Sequence, residues 1–150
     1  MPKDKNFEVC VRAIILHKNK VLACWNKKKK YYFFPGGHID FDENAKKALS
    51  RELKEELSIS TKKLDFIGTV ENLYIENKKK HHEINLVFST KIDKIKTKSK
   101  ENHIDFKLIP IKEFPRTKIY PIALKKAILK WLKDKKSFWA SQIYNKVSLI

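Results

Sequence analysis

The sequence predicts an α/β sandwich built on a mixed β-sheet, from the order of its apolar patterns and from its length. Strand-like runs come first, a helical segment follows, and more strands precede a second helical segment. The chain has 150 residues, which suits one domain with a substantial core. We therefore expect residues 1–150 to form a single domain.

Runs rich in apolar, β-branched and aromatic residues predict the strands. They are residues 7–17, 21–25, 64–76, 82–92 and 104–109. The first is expected to be central, because its second half is apolar on both faces. Between the second and third runs, Pro35-Gly36-Gly37 marks a break that permits backbone conformations closed to other residues.

A helical period predicts the helices. From Glu43 to Leu57 the apolar residues form one stripe, and Asp42 is the expected N-cap. A second helix is expected to start at Tyr120-Pro121 and to end near Lys135. Its predicted core face consists of Ile122, Ala123, Ala127, Ile128, Trp131 and Leu132. The tail, residues 138–147, is expected to form a further short helix.

Charge and cysteine content narrow the class of protein. The net charge is +17, almost entirely from lysine, and this fits either a compositional background or a surface for polyanions such as RNA. No apolar run approaches the roughly 20 residues that a membrane span needs, and residues 1–9 hold no apolar signal core. Cys10 and Cys24 lie in strand-like runs and are interpreted as reduced, buried thiols. We expect a cytoplasmic protein that does not contact membranes.

Carboxylates crowd the first helix in an unusual place. Glu52, Glu55 and Glu56 are spaced i, i+3 and i+4, and Glu52 and Glu56 lie at the edge of the stripe that faces the core. Carboxylates this close are unfavourable when partly buried, unless a cation joins them. A hard divalent cation, Mg²⁺ or Mn²⁺, would resolve the conflict, and a solvated acidic face is the alternative.

The stretch from Gly37 to Ile59 resembles the Nudix box of Nudix hydrolases, G-x5-E-x7-R-E-U-x-E-E-x-G-U, where U is bulky and aliphatic. Every specified position matches at the correct spacing except the late glycine, which is Ser58 here. Asp42 also stands where many relatives have glycine. Neither change removes a residue that carries the chemistry. The resemblance implies a Nudix-type α/β/α sandwich.

By the same resemblance, the chain would hydrolyse a pyrophosphate linkage with Mg²⁺ or Mn²⁺. Glu52, Glu55, Glu56 and the Gly37 carbonyl would hold metal. Proton abstraction from water is expected at Glu52 or Glu56. Glu43 and Arg51 would pair and hold the preceding loop against the helix.

Residues outside the helix supply candidates for substrate binding. Arg12 lies amid apolar residues and needs an anionic partner, either a substrate phosphate or a structural carboxylate. Tyr32 is the aromatic candidate for stacking on a base, with a core position as the alternative. Gly36 permits close backbone approach, and His38 could reach a phosphate. An extra base or ligand is expected from a later loop, and its candidates are Glu101, then Asp105 and Glu83.

The predicted substrate is a nucleoside diphosphate derivative, either an ADP-ribose-like nucleotide sugar or a (d)NTP. The alternatives are an RNA 5′-end pyrophosphohydrolase and a non-catalytic Nudix module that binds nucleotide or RNA. The histidine pair at residues 81–82 is interpreted as solvated. The family resemblance also makes a homodimer one of the expected states.

Overall fold

The computed structural model describes residues 7–95 and 104–149, and in that part of the chain nine strands form one sheet. The strands are β1 (Phe7–His17), β2 (Lys20–Asn26), β3 (Tyr31–Phe33), β4 (Gly36–His38), β5 (Asp65–Glu76), β6 (Lys79–Lys91), β7 (Ile104–Pro110), β8 (Phe138–Ile143) and β9 (Lys146–Leu149). The helices are α1 (Ala45–Leu57) and α2 (Ile122–Asp134), and a short 3₁₀ helix spans Ile111–Arg116.

The sheet is mixed, as predicted. Its main path runs β3-β2-β1-β6-β5-β8-β9, with β4 paired to β1 and β7 paired to β2. The β1–β6 and β5–β8 pairs are parallel, and the other pairs are antiparallel. Strand β1 pairs with β6 on one side and with β2 and β4 on the other, which confirms that it lies inside the sheet.

The two helices cover opposite faces of the sheet. Val11, Ala13 and Ile15 of β1 belong to a buried cluster with the apolar stripe of α1. Ile14 belongs to the other buried cluster, with the apolar side of α2. This two-sided burial is why the second half of β1 is apolar throughout.

The start of α1 differs from the prediction. Asn44 is the N-cap, and its side chain accepts a hydrogen bond from the Lys47 amide at 3.0 Å. Asp42 instead adopts a left-handed conformation, with φ of 63°, in the preceding turn. At its other end α1 stops at Ser58, which is also left-handed and whose N–H bonds to the Lys54 carbonyl. A short polar side chain thus caps the helix two residues later than expected.

The tail prediction was wrong, because the tail forms the hairpin of β8 and β9 and not a helix. Strand β8 runs parallel to β5, and Phe138 lies opposite Gly68. A Cβ at Gly68 would lie 2.4 Å from the Phe138 ring, so the missing side chain provides the space for that ring. Pairing with the distant strand β5 therefore determines the extended conformation of residues 138–143.

Helix α2 has most of the predicted core face, but Leu132 is only partly buried, and Leu124, which was not predicted, is also buried. Ala123, Ala127, Ile128 and Trp131 are buried, but Ile122 is 37% exposed in the first turn. In the part of the chain that the structure describes, no helix is long and apolar enough to cross a membrane. Both cysteines are buried and neither forms a disulfide within the described residues, as predicted, and burial raises the pKa of Cys10 to about 12.

Candidate active site

Arg51 lies at the centre of the acidic residues around the start of α1. Its guanidinium binds Glu43 bidentately, with Nε 2.8 Å from Oε2 and Nη2 2.9 Å from Oε1. Its Nη1 donates to Glu52 Oε1 at 2.9 Å and lies 3.5 Å from Glu55 Oε2. The predicted pairing of Glu43 with Arg51 is present. One arginine therefore neutralises much of the charge that the acidic sequence brings together.

The Glu43–Arg51 pair stays ionised over a wide pH range. Hydrogen bonds from Arg51 lower the pKa of Glu43 from 4.5 to about 2. In return, hydrogen bonds to Glu43 raise the pKa of Arg51 above its ordinary value. The pair ties the loop before α1 to the middle of the helix, which agrees with an orienting role.

Glu52 is held against the main chain of β4. A Cβ built on Gly37 would lie 2.4 Å from Glu52 Oε1, so only glycine leaves room for this carboxylate. Arg51 strengthens the contact, because its Nη2 donates to the His38 carbonyl at 3.2 Å. Glu52 is thus 16% exposed, whereas Glu55 is 59% exposed on the outer side of the helix.

Gly36 allows the main chain of β4 to approach the main chain of β1 closely. Its φ is +152°, and a Cβ would lie 1.9 Å from the Val11 carbonyl oxygen. Gly36 is paired with Arg12, and Gly37 is paired with Val11. The two glycines therefore connect the carboxylates of α1 to Arg12 through a single short strand.

The donor types around α1 suit a hard divalent cation. Glu52, Glu55 and the 9%-exposed Glu56 carry carboxylate oxygens, and Gly37 carries a main-chain carbonyl oxygen. Within residues 7–95 and 104–149, however, no three His, Cys, Asp or Glu side chains stand close enough together to hold a metal. Arg51 takes up one oxygen of Glu52, and Glu55 points outward. The metal ligands therefore remain a prediction.

A cavity of about 390 Å³ lies on the α2 face of the sheet. It is lined by Arg12, Asn26, Tyr31, Phe33, Phe34, Asn72, Tyr74, Glu76, Glu83, Tyr120, Pro121, Leu124 and Gln142. Tyr31 and Tyr120 contact each other edge to face, with ring centroids 5.0 Å apart. Aromatic walls, a few polar groups and this volume are typical of a small-molecule site.

Arg12 faces this cavity and is held by neutral acceptors. Its Nε donates to Asn85 Oδ1 at 3.1 Å, and its Nη1 is 3.5 Å from the Phe34 carbonyl. No carboxylate among the described residues forms an ion pair with it. Of the two predicted partners, the structural carboxylate is therefore not found, and the guanidinium retains donors for an anion.

The remaining substrate-binding candidates, Tyr32 and His38, lie in different environments. Tyr32 packs on the core and against Trp25, at 4.7 Å between ring centroids, so that Tyr31 is the neighbouring tyrosine that lines the cavity. His38 is exposed at the end of β4, where its Nε2 lies 3.2 Å from Glu8 Oε1. Alternation along β3 explains why adjacent aromatic residues have different environments.

The acids outside the box also differ in position. Glu101 lies outside the described residues. Asp105 is exposed on β7 and lies 3.4 Å from the Lys27 ammonium. Glu83 lines the cavity and accepts a hydrogen bond from the Tyr74 hydroxyl at 3.0 Å. Of these three candidates, only Glu83 is observed beside Arg12 in the same cavity.

The histidine pair was wrongly interpreted as solvated. His81 is 25% exposed, its Nδ1 lies 3.0 Å from Glu8 Oε2, and its ring stacks on Tyr74 at 4.9 Å. His82 lies 3.8 Å from Glu71. Their partners come from β1 and β5, so no local motif could have indicated them.

Sequence reasoning missed Tyr120 and the polar residues Asn72 and Gln142 in the lining of the cavity. Asn72 and Gln142 occupy paired positions on β5 and β8, and Tyr120 precedes α2. The available signal was Asn72 itself, which interrupts an alternating pattern in which Val70 is a core residue. A polar residue at a buried strand position indicates a possible functional site, because such positions are usually apolar.

A second, larger cavity of about 980 Å³ lies beyond the C-terminal end of α1. Its lining includes Ser58, Trp131 and several lysines. Neither cavity is lined by the α1 carboxylates, and we assign the candidate site to the smaller one because it contains Arg12, which pairs with Gly36 of β4.

A family model described as NUDIX domain matches residues 6–132. The chain belongs to the NUDIX domain family. Among curated relatives of this Nudix protein is an 8-oxo-dGTP diphosphatase from Buchnera aphidicola. It is 42% identical over 65 residues, which are 43% of this chain and 52% of the relative. The Nudix chain thus spans about half the length of the curated relatives it matches.

Solved structures agree on the Nudix fold. The MutT protein from Bacillus halodurans superposes with a TM-score of 0.79 at 16% identity, covering 95% of this chain and 97% of that one. The NUDIX domain of Shewanella oneidensis NrtR, solved with ADP ribose, has a TM-score of 0.71 at 17% identity, with coverages of 90% and 92%. At these identities the similarity concerns the fold alone, and it confirms the predicted α/β architecture.

Proposed function

We propose that this Nudix chain is a metal-dependent hydrolase that cleaves the pyrophosphate linkage of a nucleoside diphosphate derivative. The observation that carries the proposal is the position of β4. On one side Gly37 lies against the Glu52 carboxylate, and next to it Gly36 pairs with Arg12, which faces the cavity. A ligand in the cavity would thus extend its phosphates along β4 towards α1.

Each part of the site has a separate task. The aromatic cavity would bind the nucleoside, and Arg12 would bind a phosphate through its remaining donors. Glu52, Glu55, Glu56 and the Gly37 carbonyl would hold Mg²⁺ or Mn²⁺. When bound, the metal would lower the pKa of a water and neutralise phosphate charge. Glu43 and Arg51 would keep the carboxylates in place, and His38 would stand near the phosphates.

We place (d)NTPs first among the substrates, supported by the two curated relatives named 8-oxo-dGTP diphosphatase. An ADP-ribose-like nucleotide sugar comes second, because the cavity can admit either nucleoside. The net charge of +17 keeps an RNA 5′ end as a further candidate. A cavity of about 390 Å³ fits a single nucleoside, and this favours a free nucleotide.

The test is hydrolysis of a nucleotide panel by wild type and Glu56→Gln, with Mg²⁺, with Mn²⁺ and with EDTA. The panel contains (d)NTPs, 8-oxo-dGTP, ADP-ribose, other nucleotide sugars and 5′-triphosphate RNA. We expect metal-dependent product release that falls by at least about 100-fold in the variant. Glu113→Gln is the matched control, because Glu113 is exposed in the 3₁₀ helix away from the site. Equal loss in both variants would contradict the proposal.

The alternatives predict different results in the same assay. A 5′-end RNA hydrolase would prefer the RNA substrate. Its RNA binding would weaken steeply between about 50 and 200 mM salt, because binding releases counterions from the RNA. A non-catalytic Nudix module would bind nucleotides without product release under any metal condition. Either outcome would replace the proposed activity.

A further inference from the structure

We propose that Asn85 of β6 is a positioning residue for Arg12: it fixes the guanidinium at the cavity wall and separates it from the Glu83 carboxylate. The inference rests on the proposed function in one respect, that Arg12 binds a phosphate of the nucleotide. Asn85 does not line the cavity, so it would act on a ligand through Arg12.

Asn85 is a buried amide in an apolar part of the sheet. It is 2% exposed and lies between Cys10 of β1 and Val70 of β5, which are both fully buried. A buried amide lowers stability unless its hydrogen bonds are made. Asn85 Oδ1 accepts from Arg12 Nε at 3.1 Å. Its Nδ2 lies 3.3 Å from the Val70 carbonyl oxygen and 3.4 Å from Glu83 Oε2.

These neighbours permit only one orientation of the amide group. A main-chain carbonyl and a carboxylate face one side, and both are acceptors, so the amide nitrogen must lie there. The amide oxygen must then face Arg12, because a guanidinium has donors and no acceptor. A flipped amide would bring acceptors together on one side and donors together on the other. Asn85 therefore presents a fixed acceptor to Arg12.

The fixed acceptor limits the conformations that Arg12 can adopt. Its Nε is bonded to Asn85, and its Nη1 lies 3.5 Å from the Phe34 carbonyl oxygen. Within residues 7–95 and 104–149 these contacts leave the Nη2 donors for an anion. A long side chain loses rotamer entropy when it binds a ligand, and one that is already held loses less. Asn85 should therefore strengthen phosphate binding without touching the phosphate.

Asn85 also lies between Arg12 and a competing carboxylate. Glu83 lines the same cavity, and the Tyr74 hydroxyl donates to its Oε1 at 3.0 Å. Burial raises the pKa of Tyr74, so the phenol keeps the proton that this bond needs. Because the neutral amide contacts both charged groups, it bridges them at a distance. A direct ion pair with Glu83 would neutralise Arg12 and compete with a phosphate.

The experiment measures nucleotide binding in metal-free buffer, so it does not depend on hydrolysis. Calorimetry gives the affinities of dGDP and ADP for wild type, Asn85→Leu, Arg12→Ala and the double variant. Leucine has a similar branched shape but cannot bond to Arg12. For the nucleotide that wild type binds more tightly, we expect Asn85→Leu to lower the affinity roughly tenfold and Arg12→Ala to lower it at least as far. Adding Asn85→Leu to Arg12→Ala should cause no further loss.

Two further variants separate positioning from a general loss of stability. Asn85→Ala should give the same loss of affinity as Asn85→Leu, and it decides the test if leucine prevents folding. Ile128→Val is the matched control, because Ile128 is fully buried under α2 and does not line the cavity. It should lower stability in urea unfolding and leave the nucleotide affinity unchanged.

The outcomes separate this inference from the proposed function. The role of Asn85 would be overturned by unchanged affinity in its variants, by the same tenfold loss in the Arg12→Ala background, or by an equal loss in Ile128→Val. No binding of either nucleotide by wild type would also overturn it. Lower affinity in the Asn85 variants of a protein that hydrolyses nothing would support Asn85 and refute the hydrolase. Hydrolysis with unchanged affinity in those variants would do the reverse.

Discussion

Replacing Gly37 by alanine tests whether β4 positions the Glu52 carboxylate. The new methyl group would lie 2.4 Å from Oε1 and 2.8 Å from Oε2, well inside contact distance. The obstructing atoms end a flexible side chain, so Glu52 would move and lose its 2.9 Å hydrogen bond from Arg51. A charged hydrogen bond contributes about 1.5–3 kcal/mol, and the alanine recovers about 0.4–1 kcal/mol through the unfolded chain. The net loss is about 0.5–2.5 kcal/mol.

Urea unfolding, followed by circular dichroism, measures this change, which corresponds to a fall of about 1–10 °C in Tm for a chain of this size. Activity should fall much further, by about 100-fold, because a shift of about 1 Å in a catalytic group has that effect. The control is Gly37→Ala in a Glu52→Ala background, where the carboxylate is gone and the methyl should cost nothing. An equal loss in both backgrounds would refute the steric reasoning.

Three other substitutions test separate parts of the structure. Glu43 has a pKa of about 2 in the folded chain and 4.5 as its ordinary value, so its contribution to stability is lost as pH falls from 4.5 to about 2. Glu43→Gln should flatten the decline of Tm over that interval, and an unchanged slope would contradict the pair. Ser58→Gly should raise the free energy of unfolding by about 0.5–1 kcal/mol, because Ser58 has φ of 55°; lower stability in urea would argue against relief of strain there. Leu53→Ala should lower the free energy of unfolding by about 2–5 kcal/mol, because Leu53 is fully buried on the core side of α1. A loss below about 1 kcal/mol would mean that neighbouring side chains fill the space left by leucine.

The parts of the site that the sequence predicted correctly are those encoded within one local stretch. The resemblance to the Nudix box implied that Glu43 and Arg51 pair, and the structure joins them with two hydrogen bonds. Helical spacing brings Arg51 within 3.5 Å of Glu55. Helical geometry relates residues three or four positions apart without reference to the rest of the fold. Such contacts are therefore predictable from the sequence alone.

The errors concern residues whose environment is set by distant strands. The tail was assigned to a helix, but β5 provides a parallel edge for β8, and Gly68 makes room for Phe138. His81 was assigned to solvent, but Glu8 of β1 lies beside it once β1 and β6 pair. Neither partner is near in sequence. Register in a sheet is a property of the whole chain, so these positions were beyond local reasoning.

Strand β4 contacts both α1 and β1, so its three residues position the Glu52 carboxylate and also pair with Arg12. Gly37 is fixed by α1 through Glu52, whereas Gly36 is fixed by β1 through the Val11 carbonyl. A substitution at Gly36 meets main chain that cannot move aside, so it should disrupt folding, whereas one at Gly37 meets a side chain and should chiefly disturb the carboxylates. The two glycines of the box region thus have different physical reasons for being glycine. The cavity around Arg12 and the carboxylates of α1 keep their relative positions because this strand is packed from both sides.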